Sequence, residues 1–261
     1  MPSEFGRGVG TCICETFTNS PETGAPLEGI VMHTTLSYSA ALAACTLFAA
    51  SACAQSASDI RGRSQVYDKF FFPSGVPTNY LDTPTAVKLP KTRAVKTVIP
   101  GLLYRGGGAG GRVPLTQEAL KGLCEAGFSL AVYGYTEGFR GTQQIQCTNS
   151  ILGQQNTLTY IAGEASKLAF EQDVMGRIQT VVANPNAGPV FVHCWNGDHA
   201  SGELASFALR QFCGWSGPAA TAYWSRNQHG AAPISRIGKF NPNPALGIAE
   251  QDRAVLCRQP R

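Results

Sequence analysis

The chain has 261 residues, 43% of them hydrophobic and 15% charged, with a formal net charge of +4. That composition suits one globular α/β domain with accessory segments and excludes a low-hydrophobicity, highly charged disordered chain. No internal repeat or coiled-coil period is present. No Lys/Arg run interleaved with aromatics exists either, so the positive balance does not point to nucleic acid.

Residues 1–31 carry Glu4, Glu15, Glu22 and Glu28 and do not fit the start of a secretory leader, which makes Met32 the expected initiator. From Met32 to Ala54 the chain is apolar, Ala-rich and free of acids and bases, and it ends in Ala52-Cys53-Ala54, a small-x-small cleavage pattern. We read 32–54 as a signal peptide cleaved after Ala54, with a soluble exported product, periplasmic or secreted, preferred over a lipid-anchored one. No stable membrane insertion is expected after cleavage. Loss of Arg7 and the four glutamates leaves a mature chain of 20 basic and 13 acidic residues, net +7, which suits an anionic substrate or surface.

Residues 55–95 are expected to be a polar link followed by an extension, with Phe70, Phe71, Phe72 and Tyr80 running along the outside of the domain. The main domain is placed at 96–261. Its first strand is expected from Thr97 to Tyr104, ending in the run Gly106-Gly-Gly-Ala-Gly-Gly111. That run lacks the Gly-Lys-Ser/Thr of a nucleotide-binding P-loop and is read as a flexible loop. Thr116 caps a helix continuing on Leu120, Leu123 and Cys124 until Gly127 stops it.

Phe128 to Tyr133 reads as the next strand, and Gly134 to Gly141 leaves it as a loop that carries Arg140 to a strand's carboxyl end, where α/β sheets gather ligands. Asn156 to Ile161 is a further strand. The loop Ile161 to Lys167 offers Glu164, and Val174, Ile178, Val181 and Val182 carry a helix over 169–182. Gly217 to Asn227 and Gly247 to Cys257 read as two late helices with Trp215 and Trp224 in the core, while Ser235 to Pro244 is loop-like. Strands alternating with helices predict a mostly parallel central sheet flanked by helices.

The most informative stretch is Pro189-Val-Phe-Val-His-Cys-Trp-Asn-Gly-Asp-His-Ala-Ser-Gly202. Val190, Phe191 and Val192 form a short buried strand, and helical spacing resumes after Ser201 on Leu204, Ala205, Ala208, Leu209 and Phe212. Cys194 therefore stands at a strand's carboxyl end facing a helix amino terminus. Backbone N–H groups and the helix dipole there favour an anion, so one geometry can hold a thiolate and bind a phosphate. Gly197 permits the tight turn.

This stretch resembles the signature loop of the cysteine-dependent protein tyrosine and dual-specificity phosphatases, His-Cys-x-x-Gly-x-x-Arg-Ser/Thr-Gly. His193, Cys194, Gly197, Ser201 and Gly202 match it, and Tyr104-Arg105 resembles the segment that often opens the core of the bacterial enzymes. The arginine position is Ala200. The resemblance implies a tyrosine-phosphatase-like fold, a phosphate-ester substrate and no cofactor or metal. It implies Cys194 as nucleophile, His193 as support of the loop, Ser201 assisting release of a cysteinyl-phosphate, and Trp195, Asn196, Gly197, Asp198, His199, Ala200 and Gly202 as phosphate-binding loop. Glu164 stands where the family carries its general acid, with Asp198 a second candidate.

Arginine grips phosphoryl oxygens bidentately and alanine cannot. Either another cation substitutes, for which His199, Arg140 and Arg105 are the options, or the chain is a silent relative that binds an anionic partner. Arg140→Ala is expected to abolish binding of a phosphate analogue. Of the nine cysteines, Cys124, Cys147, Cys194, Cys213 and Cys257 remain after leader removal. With Cys194 as the free nucleophile the other four can pair in three ways, and Cys124–Cys147 with Cys213–Cys257 is favoured because each pair joins neighbouring elements.

Overall fold

A computed structural model describes residues 60–77, 80–226 and 235–259. The expected leader and signal peptide, 1–54, lie outside the described residues. In chain order the elements are helix α1 (60–71), β1 (Arg93–Ile99), β2 (Leu103–Gly107), α2 (Gln117–Glu125), β3 (Leu130–Tyr133), β4 (Gly141–Thr148) and β5 (Gln155–Ala162). Then follow α3 (Leu168–Ala183), β6 (Val190–Cys194), α4 (His199–Cys213), α5 (Gly217–Arg226), α6 (Ser235–Lys239) and α7 (Glu250–Leu256).

The six strands form one sheet in the order β1-β2-β6-β3-β5-β4. The four central strands are parallel, and β1 and β4 run antiparallel at the two edges. This is the expected α/β architecture with a mixed, mostly parallel sheet. Strand β6 lies at its centre, buried at all five residues as a strand covered on both faces must be.

Helices cover both faces. On one, Tyr67 and Phe71 of α1 join Leu120 and Leu123 of α2 against Tyr104, Phe128 and Phe191. On the other, Val174 and Ile178 of α3 and Leu204, Ala205 and Ala208 of α4 pack with Val98, Val132 and Val192. Trp215 and Trp224 are buried there as expected. Thr116 caps α2, its side chain accepting from the Ala119 N–H.

Four elements depart from the sequence expectations. The aromatics of 60–95 are not an outer strip: Tyr67, Phe71, Phe72 and Tyr80 are all buried, because Tyr67 and Phe71 share one face of α1 at i,i+4 spacing. The single strand expected over 97–104 is a hairpin, broken at Pro100-Gly101, where Gly101 takes φ +65 and a Cβ would come 2.3 Å from the Ser64 Cα. Strand β4 was not foreseen, since its inward positions Gln143, Ile145 and Cys147 include a polar residue and blur the alternation. The loop expected at 235–244 also begins with the short α6.

Cys124–Cys147 and Cys213–Cys257 are disulfides, and Cys194 is free. The first ties α2 to the edge strand β4; the second ties the end of α4 to the end of α7. Among the described residues no helix is long and apolar enough to cross a membrane.

Candidate active site

Strand β6 delivers His193 and Cys194 to the carboxyl edge of the sheet between β2 and β3, in register with Gly106 on one side and Tyr133 on the other. The chain then turns through Trp195 to Asp198 into α4. Gly197 takes φ +84 in this turn, and a Cβ on it would lie 2.5 Å from the Gly106 carbonyl carbon. The turn is fastened from the β2 side: Asn196 bridges Gly107, and the Gly108 N–H donates to the Cys194 carbonyl at 3.0 Å. The glycine run is therefore not a free loop at its start. Gly106 and Gly107 have no Cβ because the signature turn lies directly against them.

The Cys194 Sγ is 3.2 Å from the Ser201 Oγ, and both residues are almost fully buried. Cys194 sits against the first turn of the 15-residue α4, whose macrodipole favours negative charge there. The His193 ring stacks on Tyr133 with centroids 4.8 Å apart, and its Nε2 is 2.9 Å from the Tyr160 hydroxyl. That hydroxyl oxygen also accepts from the Leu115 N–H at 3.0 Å, which ties the ring of His193 to the segment ahead of α2. Burial lowers the His193 pKa to about 3, with a backbone interaction at Cys194 opposing. His193 is thus neutral and positions the strand end; it brings no positive charge to the sulfur.

Arg105 is fully buried and lies behind the turn. Its Nε donates to Asp82 Oδ1 at 2.6 Å, Nη1 donates to the Gly197 carbonyl, and Tyr223 donates its hydroxyl to the same Asp82 oxygen at 2.9 Å. Asp198 completes the brace, 3.4 Å from Lys96 Nζ and 3.9 Å from Arg105 Nη1. Asp198 and Arg105 therefore hold the turn by its back.

In front of the turn is a cleft of about 560 Å³. It is lined by Trp195, Asn196, His199 and Ala200 of the turn and the start of α4, by Gly134, Tyr135, Glu164 and Ala165 that follow β3 and β5, and by Arg112, Trp224 and Arg236. Cys194 and Ser201 are flanked in sequence by wall residues. Ala200 sits so close to the β3 end that a Cβ on Gly134 would come within 2.8 Å of its methyl. Glu164 reaches the cleft half-buried, with the Thr136 hydroxyl donating to its Oε1 at 2.7 Å. The Trp224 indole N–H donates to the His199 carbonyl at 3.2 Å and steadies the start of α4.

Of the residues singled out from sequence, Glu164, Trp195, Asn196, His199 and Ala200 line this cleft, while Cys194 and Ser201 are buried and are not among its lining residues. Arg140 does not: it is exposed just ahead of β4 and lines no part of the cleft. Arg105 is near but on the far side of the turn. Sequence reasoning missed Tyr135, which lines the cleft. Burial and then the negative charge of Cys194 push its pKa up to about 12, and Arg112 pulls the other way. It also missed Arg112 and Arg236. The carboxyl-end rule that singled out Arg140 applies equally to Tyr135, two residues past β3. Among the described residues no group of three or more His, Cys, Asp or Glu side chains could hold a metal ion.

No protein-family model matches the chain, and no curated protein matches it. Solved structures similar to it include Tk-PTP in its active form, at 14% identity over 57% of this chain and 92% of that one, with a TM-score of 0.38. TpbA of P. aeruginosa in complex with pTyr is similar at 16% identity over 62% and 89%, TM-score 0.37. The core catalytic domain of the PP-IP phosphatase SIW14 from S. cerevisiae, in complex with citrate, is similar at 16% identity over 59% and 86%, TM-score 0.38.

Proposed function

We propose that the chain is an exported member of the cysteine-dependent tyrosine and dual-specificity phosphatase superfamily, hydrolysing a phosphate monoester through a cysteinyl-phosphate on Cys194. The observation that carries this reading is the Cys194 sulfur at the carboxyl end of the central strand, 3.2 Å from the Ser201 hydroxyl at the start of α4. A buried thiol without a chemical task needs neither the hydroxyl partner nor the helix terminus.

The Cys194 thiolate attacks phosphorus as the bond from phosphorus to the leaving oxygen breaks, and Glu164 hands that oxygen its proton. Water, deprotonated by Glu164, then attacks the phosphorus of the cysteinyl-phosphate. The P–S bond breaks, inorganic phosphate leaves, and the Ser201 hydroxyl donates to the departing sulfur.

Export rests on the apolar stretch 32–54 and on two disulfides with one free thiol, the pattern of an oxidising compartment. The functional domain extends upstream of residue 96, since Asp82 braces the signature turn through Arg105.

The test is hydrolysis of a generic aryl phosphate by the purified chain, with Cys194→Ser and Ala200→Arg alongside. Turnover that disappears in Cys194→Ser is expected; turnover that survives it would sink the nucleophile. A second reading, a silent relative that binds a phosphorylated or other anionic partner, is favoured by Ala200. It predicts an inactive native chain that gains turnover in Ala200→Arg.

A further inference from the structure

Transfer of a phosphoryl group needs positive charge against its equatorial oxygens, and position 200 supplies none. Four arginines stand in or near the site, and their surroundings differ. Arg105 is sealed behind the turn, with Nε on Asp82 and Nη1 on the Gly197 carbonyl. Arg140 is exposed outside the cleft.

Arg236 borders the cleft, but its Nε is hydrogen-bonded to Glu203 and lies 3.5 Å from Glu171. Those carboxyls are 3% and 2% exposed, so withdrawing the guanidinium would strand two buried acids.

Arg112 is bound loosely. Its side chain is 60% exposed and its Nη1 is 3.6 Å from Glu137, itself 48% exposed, an arrangement that contributes little and is readily exchanged. Its guanidinium lies 4.9 Å from the centroid of the Tyr135 ring, and both residues line the cleft together with Ala200. The charge thus shares the cleft with the position that lacks one.

The backbone that carries it fits the same task. The glycine run is anchored to the signature turn at Gly107 and Gly108, and Arg112 follows four residues later. Between anchor and arginine, Gly110 and Gly111 have no close neighbour that a Cβ would strike, and Gly111 takes φ +69. The segment is short, fixed at its base and unobstructed at its tip.

We infer that Arg112 is the phosphoryl-binding cation of this site, exchanging Glu137 for two oxygens of the substrate's phosphoryl group and supplying across the cleft the charge that Ala200 lacks. This rests on the phosphate-ester reading above. Because Arg112 is exposed when free, binding also weakens with ionic strength.

The experiment is calorimetric titration of the full chain with inorganic phosphate, paired with aryl phosphate turnover, for the native protein, Arg112→Gln, Arg140→Ala and the double variant Arg112→Gln/Ala200→Arg. Arg112→Gln is expected to weaken phosphate binding about tenfold or more and to lower kcat/KM about 10²–10³-fold, with an unchanged melting temperature. Arg140→Ala is expected to match the native chain, and the double variant to recover binding.

Native phosphate affinity and turnover in Arg112→Gln, with Cys194→Ser still inactive, would overturn the inference and leave the phosphatase reading standing. Loss of binding in Arg140→Ala but not in Arg112→Gln would overturn it in favour of the loop ahead of β4. A native chain that neither binds phosphate nor turns over the ester takes both readings down.

Discussion

Glu171 on α3 and Glu203 on α4 turn two carboxyls toward one guanidinium, that of Arg236. Burial, with the charge of Glu203 adding and that of Arg236 opposing, raises Glu171 from 4.5 to about 7. A carboxyl whose folded pKa is raised binds its proton more tightly in the folded state. Its contribution to stability is complete below about pH 4.5 and is lost as pH rises through about 7. Glu171→Gln, which mimics the protonated form, should melt with the native protein near pH 4 and above it at pH 8. Circular dichroism melts showing the same offset at both pH values would contradict this. His193 acts in the opposite direction: its pKa is depressed from 6.5 to about 3, so its contribution is present above about 6.5 and is lost as pH falls toward 3.

Strand β2, the signature turn and α5 are joined by one buried network, and Arg105 is its hub. The guanidinium lies against Asp82, the Gly197 carbonyl and, at 5.7 Å, the Tyr223 ring. Removing one partner of a buried ion pair costs about 3–5 kcal/mol, because the other is left in a medium that solvates it poorly. Arg105→Met should lower stability by that order and also abolish phosphate binding, since the turn loses the donor on Gly197. Adding Asp82→Asn should restore part of the stability, and thermal melts of the two variants decide it. A double variant no more stable than Arg105→Met alone would show that Asp82 is not the group left stranded.

Over the whole molecule, the two disulfides secure opposite faces of the sheet and leave Cys194 as the free thiol. The bridged cysteines are 23 and 44 residues apart. In the chain-entropy account, replacing Cys124 and Cys147 by alanine should cost about 3 kcal/mol and replacing Cys213 and Cys257 about 4 kcal/mol. Denaturant unfolding of the two double variants measures both, and a larger loss for the shorter loop would mean that the effect lies in native packing rather than in the unfolded chain. Thiol titration of the denatured, unreduced mature chain should find one reactive group. Five would remove the support that the disulfides lend to export.

The sequence alone was enough for what is local. The β-branched run at 190–192, the turn residues after it and the amphipathic spacing beyond Ser201 predict strand, turn and helix over 190–213, and the alternation of such units predicts the parallel sheet. The cysteine spacing led to both disulfides because neighbouring elements can bring their Cα atoms within bridging reach. Local patterns said little about the edges, since antiparallel β4 carries Gln143 on its inward face and the β1–β2 hairpin turns on a single Pro-Gly pair. Only the tertiary structure decided which charges share the site. Arg105, Arg112, Arg140 and Arg236 are chemically identical in a sequence, and burial and ion pairing separate them. One is sealed behind the turn, one lies outside the cleft, one is bound to buried acids, and Arg112 lines the cleft with only a loose ion pair to Glu137. Which face a side chain reaches depends on contacts between residues far apart in the chain, such as Asp82 with Arg105 and Tyr223, and no local pattern encodes those distances.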